Sequence, residues 1–206
     1  MKKLKYIITL LIILFSVKNY SQEVIKPIEE LLGAKERENP NTYYKDANNL
    51  LQNCVGTWVY DNGSDYFKIV VTKRKVLYGA KYNVYNDALI IKYEYIKNAV
   101  TKYYNINTFN VPVGANTKPS GLETCYVKNS IIDAVYYEPS FTDCERRKIG
   151  GLSIQYVYEV GMPQPQLIWT RTTDEHYFRD EPCENGVPTD NSDFIIPANM
   201  VLTKVN

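Results

Sequence analysis

The chain has a single histidine, His176, and that scarcity excludes more than any motif supplies. A metal centre built from several imidazoles is excluded by count. A Ser-His-Asp or Cys-His arrangement would have to use His176 as its base. That residue sits in the polar stretch Thr173-Asp174-Glu175-His176-Tyr177, where a solvated loop residue is the simpler account. Glycine-rich phosphate loops, Gly-x-Ser-x-Gly elbows and the paired cysteines of a zinc site are lacking too. The chain is therefore read as a non-enzyme with no cofactor and no metal. Glu94, Glu138 and Glu159 lie on or beside predicted strands, but Glu94 and Glu159 have polar neighbours and read as solvent-facing rather than as converging acids.

An excess of one charge is also missing. There are 24 basic and 23 acidic residues, and setting aside Lys2, Lys3, Lys5 and Lys18 of the export signal leaves −3. That balance carries no electrostatic footprint for nucleic acid or an anionic membrane. Past the N-terminus, no apolar run is long enough to span a bilayer. Residues 1–21 have the three parts of a secretory signal: a basic end, an apolar stretch over 6–17 too short to span, and Ser21 as the small residue before cleavage, leaving Gln22 first. No cysteine lies near that junction, so no lipid anchor is expected there. The mature protein is expected in the periplasm or outside the cell, with no membrane span.

Four cysteines remain: Cys54, Cys125, Cys144 and Cys183. In an oxidising compartment an even count favours two disulfides, with three possible pairings. A Cys125–Cys144 bridge closes the shortest loop between adjacent strands and is the first choice. Cys54 is alternatively a buried thiol standing where a bulky apolar residue would serve equally.

What the chain has in plenty is tyrosine, 19 residues against 6 Phe and 2 Trp, set in short strand-like runs. Residues 54–104 read as an antiparallel meander. Gly56 to Tyr60 opens it, and Asp61-Asn62-Gly63-Ser64 is a turn in which Asn and Gly accept positive φ. Phe67, Ile69 and Val71 alternate with Lys68, Val70 and Thr72 at a period of two. Thr72-Lys73-Arg74-Lys75 reads as a charged break before a third strand near 76–85, with Gly79 as a bulge and Asn86-Asp87 as the following turn. The fourth strand is the clearest: Leu89, Ile91, Tyr93 and Tyr95 share one face. Asp61-Asn62-Gly63-Ser64-Asp65 superficially resembles a calcium loop, but its distant bidentate acid is missing and a hairpin turn suffices.

Residues 22–53 form a polar segment in which 27–35 and 46–53 are expected as short helices docked on the sheet. Residues 105–121 and 173–193 read as long loops. Between and after them strands resume near 131–137, 152–159, 166–172 and 200–205, with Leu152, Ile154, Tyr156 and Tyr158 alternating cleanly. The expected fold is all-β: a single domain over 54–206, an antiparallel meander closing into a barrel or sandwich, its last strand pairing near the first.

Tyr44-Lys45-Asp46, Leu50 and Val55-Gly56-Thr57-Trp58-Val59-Tyr60, then Tyr93 to Asn98, Pro165 to Trp169, and Pro197 to Lys204, together resemble a family of small exported Bacteroidota proteins, mainly flavobacterial. That family is a domain of unknown function and implies no activity. Gly56-Thr57-Trp58 also resembles the Gly-x-Trp that opens the first strand of lipocalins and related calycin barrels. The resemblance implies that Trp58 plugs the closed end under a late-strand cation, Arg171 or Lys204, and gives Gly56, Trp58, Trp169 and Arg171 structural roles.

Tyr93, Tyr95, Tyr156 and Tyr158 then allow two readings. They line a cavity for a small, partly apolar ligand bound without catalysis. Or they fill the barrel, and the protein is a structural or protein-interaction module of the periplasm or cell surface.

Overall fold

The computed structural model describes residues 23–35, 39–104, 126–128, 130–138, 148–172 and 196–205. Its eleven strands are β1 (Val24–Pro27), β2 (Thr42–Lys45), β3 (Gly56–Asp61), β4 (Asp65–Gly79), β5 (Val84–Lys97), β6 (Val100–Tyr104), β7 (Tyr126–Lys128), β8 (Ile131–Glu138), β9 (Lys148–Val157), β10 (Gln166–Thr172) and β11 (Asn199–Val205). The helical pieces among the described residues are short 3-10 segments, Ile28–Leu31, Gln52–Cys54 and Ala80–Tyr82.

Strands β3 to β11 run up and down in chain order. The order β5-β4-β3-β11-β10-β9-β8-β7 is antiparallel throughout, and β11 returns beside β3 through Thr203↔Val59 and Lys204↔Trp58. The all-β expectation and the return of the last strand to the first both hold. The ring is not closed: among the described residues no pairing joins β6 to β7. The 3-10 segment Ile28–Leu31 packs against β2 and also against β7, so the sheet wraps around a shared interior that this segment helps to cover. Ile28, fully buried, belongs to the same apolar cluster as Val127 of β7 and Ile132 of β8.

That interior follows from the period-two alternation. Register brings Trp58 opposite Ile69, and Ile69 opposite Tyr93; Phe67 faces Tyr95, and Trp169 lies between Ile154 and Met200. A slip of one residue in any of these ladders would turn a whole apolar row to water.

Two local expectations are corrected. β4 runs unbroken for fifteen residues through Thr72-Lys73-Arg74-Lys75, because the charges find partners along the strand (Lys73 with Asp46, Lys75 with Glu23). Asn86 and Asp87 are buried inside β5, not in a turn. The reversal lies earlier, at Ala80–Tyr82 followed by Asn83 at φ 56°. Gly79 does mark a register shift, as expected of a bulge.

The N-terminal region differs most. Where a helix is expected over 27–35, β1 leads into a four-residue 3-10 segment. β2 is an unforeseen strand. β1 pairs with β2, and β2 with β5, in parallel, so the sheet is not a pure antiparallel meander. β4 occupies one edge of β5 along its length, while the other edge is shared: β6 pairs with residues 94–97 and β2 with Tyr85 and Asn86. A smaller apolar cluster of Leu31, Tyr44 and Val84, with Ala34, Tyr78 and Tyr82 against it, packs this segment on the far end of the β4–β5 hairpin.

Candidate functional site

Residues 46–58 lead the chain from β2 into β3 and the main core. Gln52–Cys54 turns the chain under the barrel, with Leu51 and Cys54 fully buried in the core. Trp58 is completely buried, and its indole N–H donates to the Cys54 carbonyl at 2.8 Å, which satisfies the one polar atom it takes inside. Lys204 of β11 stands over the indole, Nζ 5.3 Å from the ring centroid. Gly56 makes room for it: its φ is +139°, and a Cβ there would lie 2.9 Å from Lys204 Cε. Of the two cations considered for this place, Lys204 takes it. Arg171 is buried on the inward face of β10, and its backbone N–H donates to the Ala198 carbonyl at 2.7 Å.

Above Trp58 the interior is a packed aromatic cluster centred on Phe67. The Phe67 ring meets Trp169 at 5.2 Å, Tyr93 at 5.8 Å and Tyr95 at 6.2 Å, at tilted to edge-on angles. Tyr156, half-buried, meets Trp58 edge-on at 6.3 Å. Tyr95 donates its hydroxyl to Asp65 Oδ1 at 2.5 Å, and that bond, ahead of smaller contributions from Ser64 and Asn62, holds the Asp65 carboxyl below its usual range despite some opposing desolvation. Asp61 to Asp65 is a hairpin turn in which Asn62 Oδ1 accepts from the N–H groups of Ser64 and Asp65.

The four tyrosines do not form one wall. Tyr93 and Tyr95 lie in the core, and Tyr156 borders it. β9 ends at Val157, so Tyr158 falls past the strand and is 59% exposed. Cys54, the cysteine among the described residues, is buried with Sγ 4.0 Å from the Leu50 carbonyl oxygen and forms no disulfide. Cys54 belongs to the main buried core cluster, with Leu51 and Trp58. Cys125, Cys144, Cys183 and His176 lie outside the described residues.

A second constellation was not foreseen. Asp87 accepts from the Tyr43 hydroxyl at 2.6 Å and from the Asp46 backbone N–H at 2.9 Å. Asp46 Oδ2 in turn accepts from Lys73 Nζ at 3.0 Å and from the Gln52 N–H at 3.1 Å. Both aspartates are buried. Lys75 Nζ lies 4.0 Å from the Tyr43 ring centroid and 4.6 Å from that of Tyr85, and pairs with Glu23 at 2.5 Å. Burial, then the bond to Asp87 and nearby carboxylates, push the Tyr43 phenol well above its usual range, so it is a fixed donor and not a base. Among the described residues no group of three or more His, Cys, Asp or Glu is placed to hold a metal. The constellation clasps residues 23–52 to the barrel. A sequence signal for it existed: Lys73 and Lys75 continue the parity of Phe67, Ile69 and Val71, and Asp87 that of Leu89, Ile91 and Tyr93.

These features define an all-β fold, one large, open, mainly antiparallel sheet with an aromatic interior. No helix among the described residues is long and apolar enough to cross a membrane. The chain belongs to a family of unknown function (DUF6705), whose profile matches residues 1–205. No curated protein and no solved structure matches it significantly.

Proposed function

We propose that the protein is an exported, non-catalytic module of structural or protein-interaction type, working through its surface around a filled interior. The observation that carries this reading is the Phe67 cluster: Tyr93 and Tyr95, two of the four rings that would line a ligand cavity, are buried against Phe67, which also meets Trp169. Tyr95 spends its hydroxyl on Asp65, within the fold. The buried Asp46 is matched by Lys73 and a backbone donor, an arrangement suited to holding chain segments together. What remains for a partner is the outside, where Val24, Ile25, Val201 and Val205 are each about half exposed or more.

Native mass spectrometry of protein purified without denaturation tests the proposal. The expected spectrum shows the polypeptide mass alone. A stoichiometric small molecule that leaves on unfolding would overturn the filled-interior reading and support a carrier.

A further inference from the structure

We propose that Asn62–Gly63, at the tip of the β3–β4 hairpin, is a self-modification site that loses ammonia to form a succinimide and then opens to aspartate and isoaspartate. In the first step the Gly63 backbone nitrogen attacks Cγ, the side-chain carbonyl carbon of Asn62. A new N–Cγ bond closes an imide ring while the Cγ–Nδ2 bond breaks. The proton of the Gly63 N–H ends on the departing Nδ2, which leaves as ammonia. Solvent water then adds to either imide carbonyl. Addition at Cγ gives aspartate, and addition at the main-chain carbonyl gives isoaspartate. Water is the co-reactant, and nothing is oxidised or reduced.

The turn arranges the groups that this chemistry uses. Asp61 Oδ1 accepts from the Gly63 N–H at 2.9 Å, so a carboxylate already sits on the proton that the attacking nitrogen must lose. Asn62 Oδ1 is the oxygen that becomes negative during attack. It accepts from the Ser64 N–H at 3.0 Å, the Asp65 N–H at 2.7 Å and the Ser64 hydroxyl at 3.0 Å. Donors fixed in advance around a developing oxyanion lower the barrier to acyl transfer. Asn62 Nδ2 donates to the Tyr60 hydroxyl oxygen at 2.9 Å, which orients the leaving group. Gly63 has φ +88° and no atom within 4 Å of where a Cβ would stand, so the approach is open. Asp61 to Ser64 are exposed, so water reaches the imide. The same hydrogen bonds would shield Asn62 if they served the turn alone, and the two cases predict opposite rates. The product bears on the core, because isoaspartate inserts a methylene into the main chain between β3 and β4. The register of that pair sets Trp58 against Ile69 and Tyr60 against Phe67. Either product also adds a carboxylate between Asp61 and Asp65.

The test follows the peptide that carries Asn62 in full-length protein held at neutral pH, native and in urea. Digestion at mildly acidic pH keeps work-up from adding product. Chromatography with tandem mass spectrometry separates the asparagine form from the aspartate and isoaspartate forms, each about 1 Da heavier. The expected native rate exceeds the rate in urea by about tenfold or more, and Asp61→Ser removes most of that excess while leaving the urea rate unchanged. Ser64→Ala takes one donor from Asn62 Oδ1 and should slow the native reaction by less. A native rate equal to or below the urea rate would overturn the proposal and leave Asn62 serving the turn alone. A fast native rate untouched by Asp61→Ser would overturn the role given to the carboxylate.

Discussion

The barrel interior and the N-terminal clasp are held by different physics. Interior residues such as Phe67, Ile69, Tyr93 and Trp169 are fixed by apolar burial, which is non-directional and repeats every second residue. The clasp over residues 23–52 has a small apolar cluster and otherwise depends on directional bonds: Tyr43 to Asp87, Lys73 to Asp46, Lys75 to Glu23, Lys26 to Asn39 and Asn48 to Glu29. Burial tolerates a change of side chain if volume is kept. A buried charge tolerates almost none, because the partner left behind loses its only compensation.

The largest effect is therefore expected at the centre of the interior. Phe67→Ala removes the ring that touches Trp169, Tyr93 and Tyr95, and should cost about 3–5 kcal/mol in equilibrium denaturation. Trp58→Ala should fall in the same range of about 3–5 kcal/mol, and a loss below about 1 kcal/mol would remove it from the role of plug. Next comes the clasp. Lys73→Met leaves the fully buried Asp46 side chain without its cation and should cost about 2–3 kcal/mol, reduced from the fully buried case because Lys73 itself is partly solvated. Adding Asp46→Asn should cost less than the two single changes together, and strict additivity would show that the pair is not coupled.

This contrast also explains what was legible beforehand. The strands over 166–172 and 200–205 and the inward face of β5 could be read because each shows alternation, and alternation is a local property. β2 could not: Tyr43 and Tyr44 lie in a polar segment, and their pairing with Tyr85 and Asn86 spans more than forty residues. Asn86-Asp87 looked like a turn because these side chains favour turns, yet Asp87 is satisfied within the strand by Tyr43 and the Asp46 N–H. The charged run at 72–75 misled for the same reason. Charges signal a break only when nothing distant pairs with them. Gly56-Thr57-Trp58 was short but informative: it offered Arg171 or Lys204 as the cation over Trp58, and Lys204 is the one found there.

Smaller effects sharpen the comparison. Gly56→Ala forces a Cβ against Lys204 Cε at a positive φ, and should cost about 1–2 kcal/mol with a change in Trp58 fluorescence as the lysine moves. The Tyr95–Asp65 bond adds a pH dependence of definite sign. The folded-state Asp65 carboxyl is depressed, so its contribution is complete above the ordinary Asp range and is lost as pH falls through the lower folded value. Asp65→Asn should flatten the acid limb of a stability–pH curve and leave the neutral-pH slope unchanged. The smallest change is a gain. Asn98 and Ala99 form the β5–β6 turn with φ of 50° and 60°, and Ala99→Gly should stabilise by about 0.5–1 kcal/mol, read as a raised Tm.

Tryptophan emission addresses the filled aromatic interior most directly, because the chain has two tryptophans and both are buried, at 0% and 1% exposure. Native protein should emit at short wavelength and resist acrylamide quenching, with both properties lost in a single unfolding transition. Native emission at the wavelength of water-exposed indole, quenched as readily as in the unfolded chain, would contradict the account.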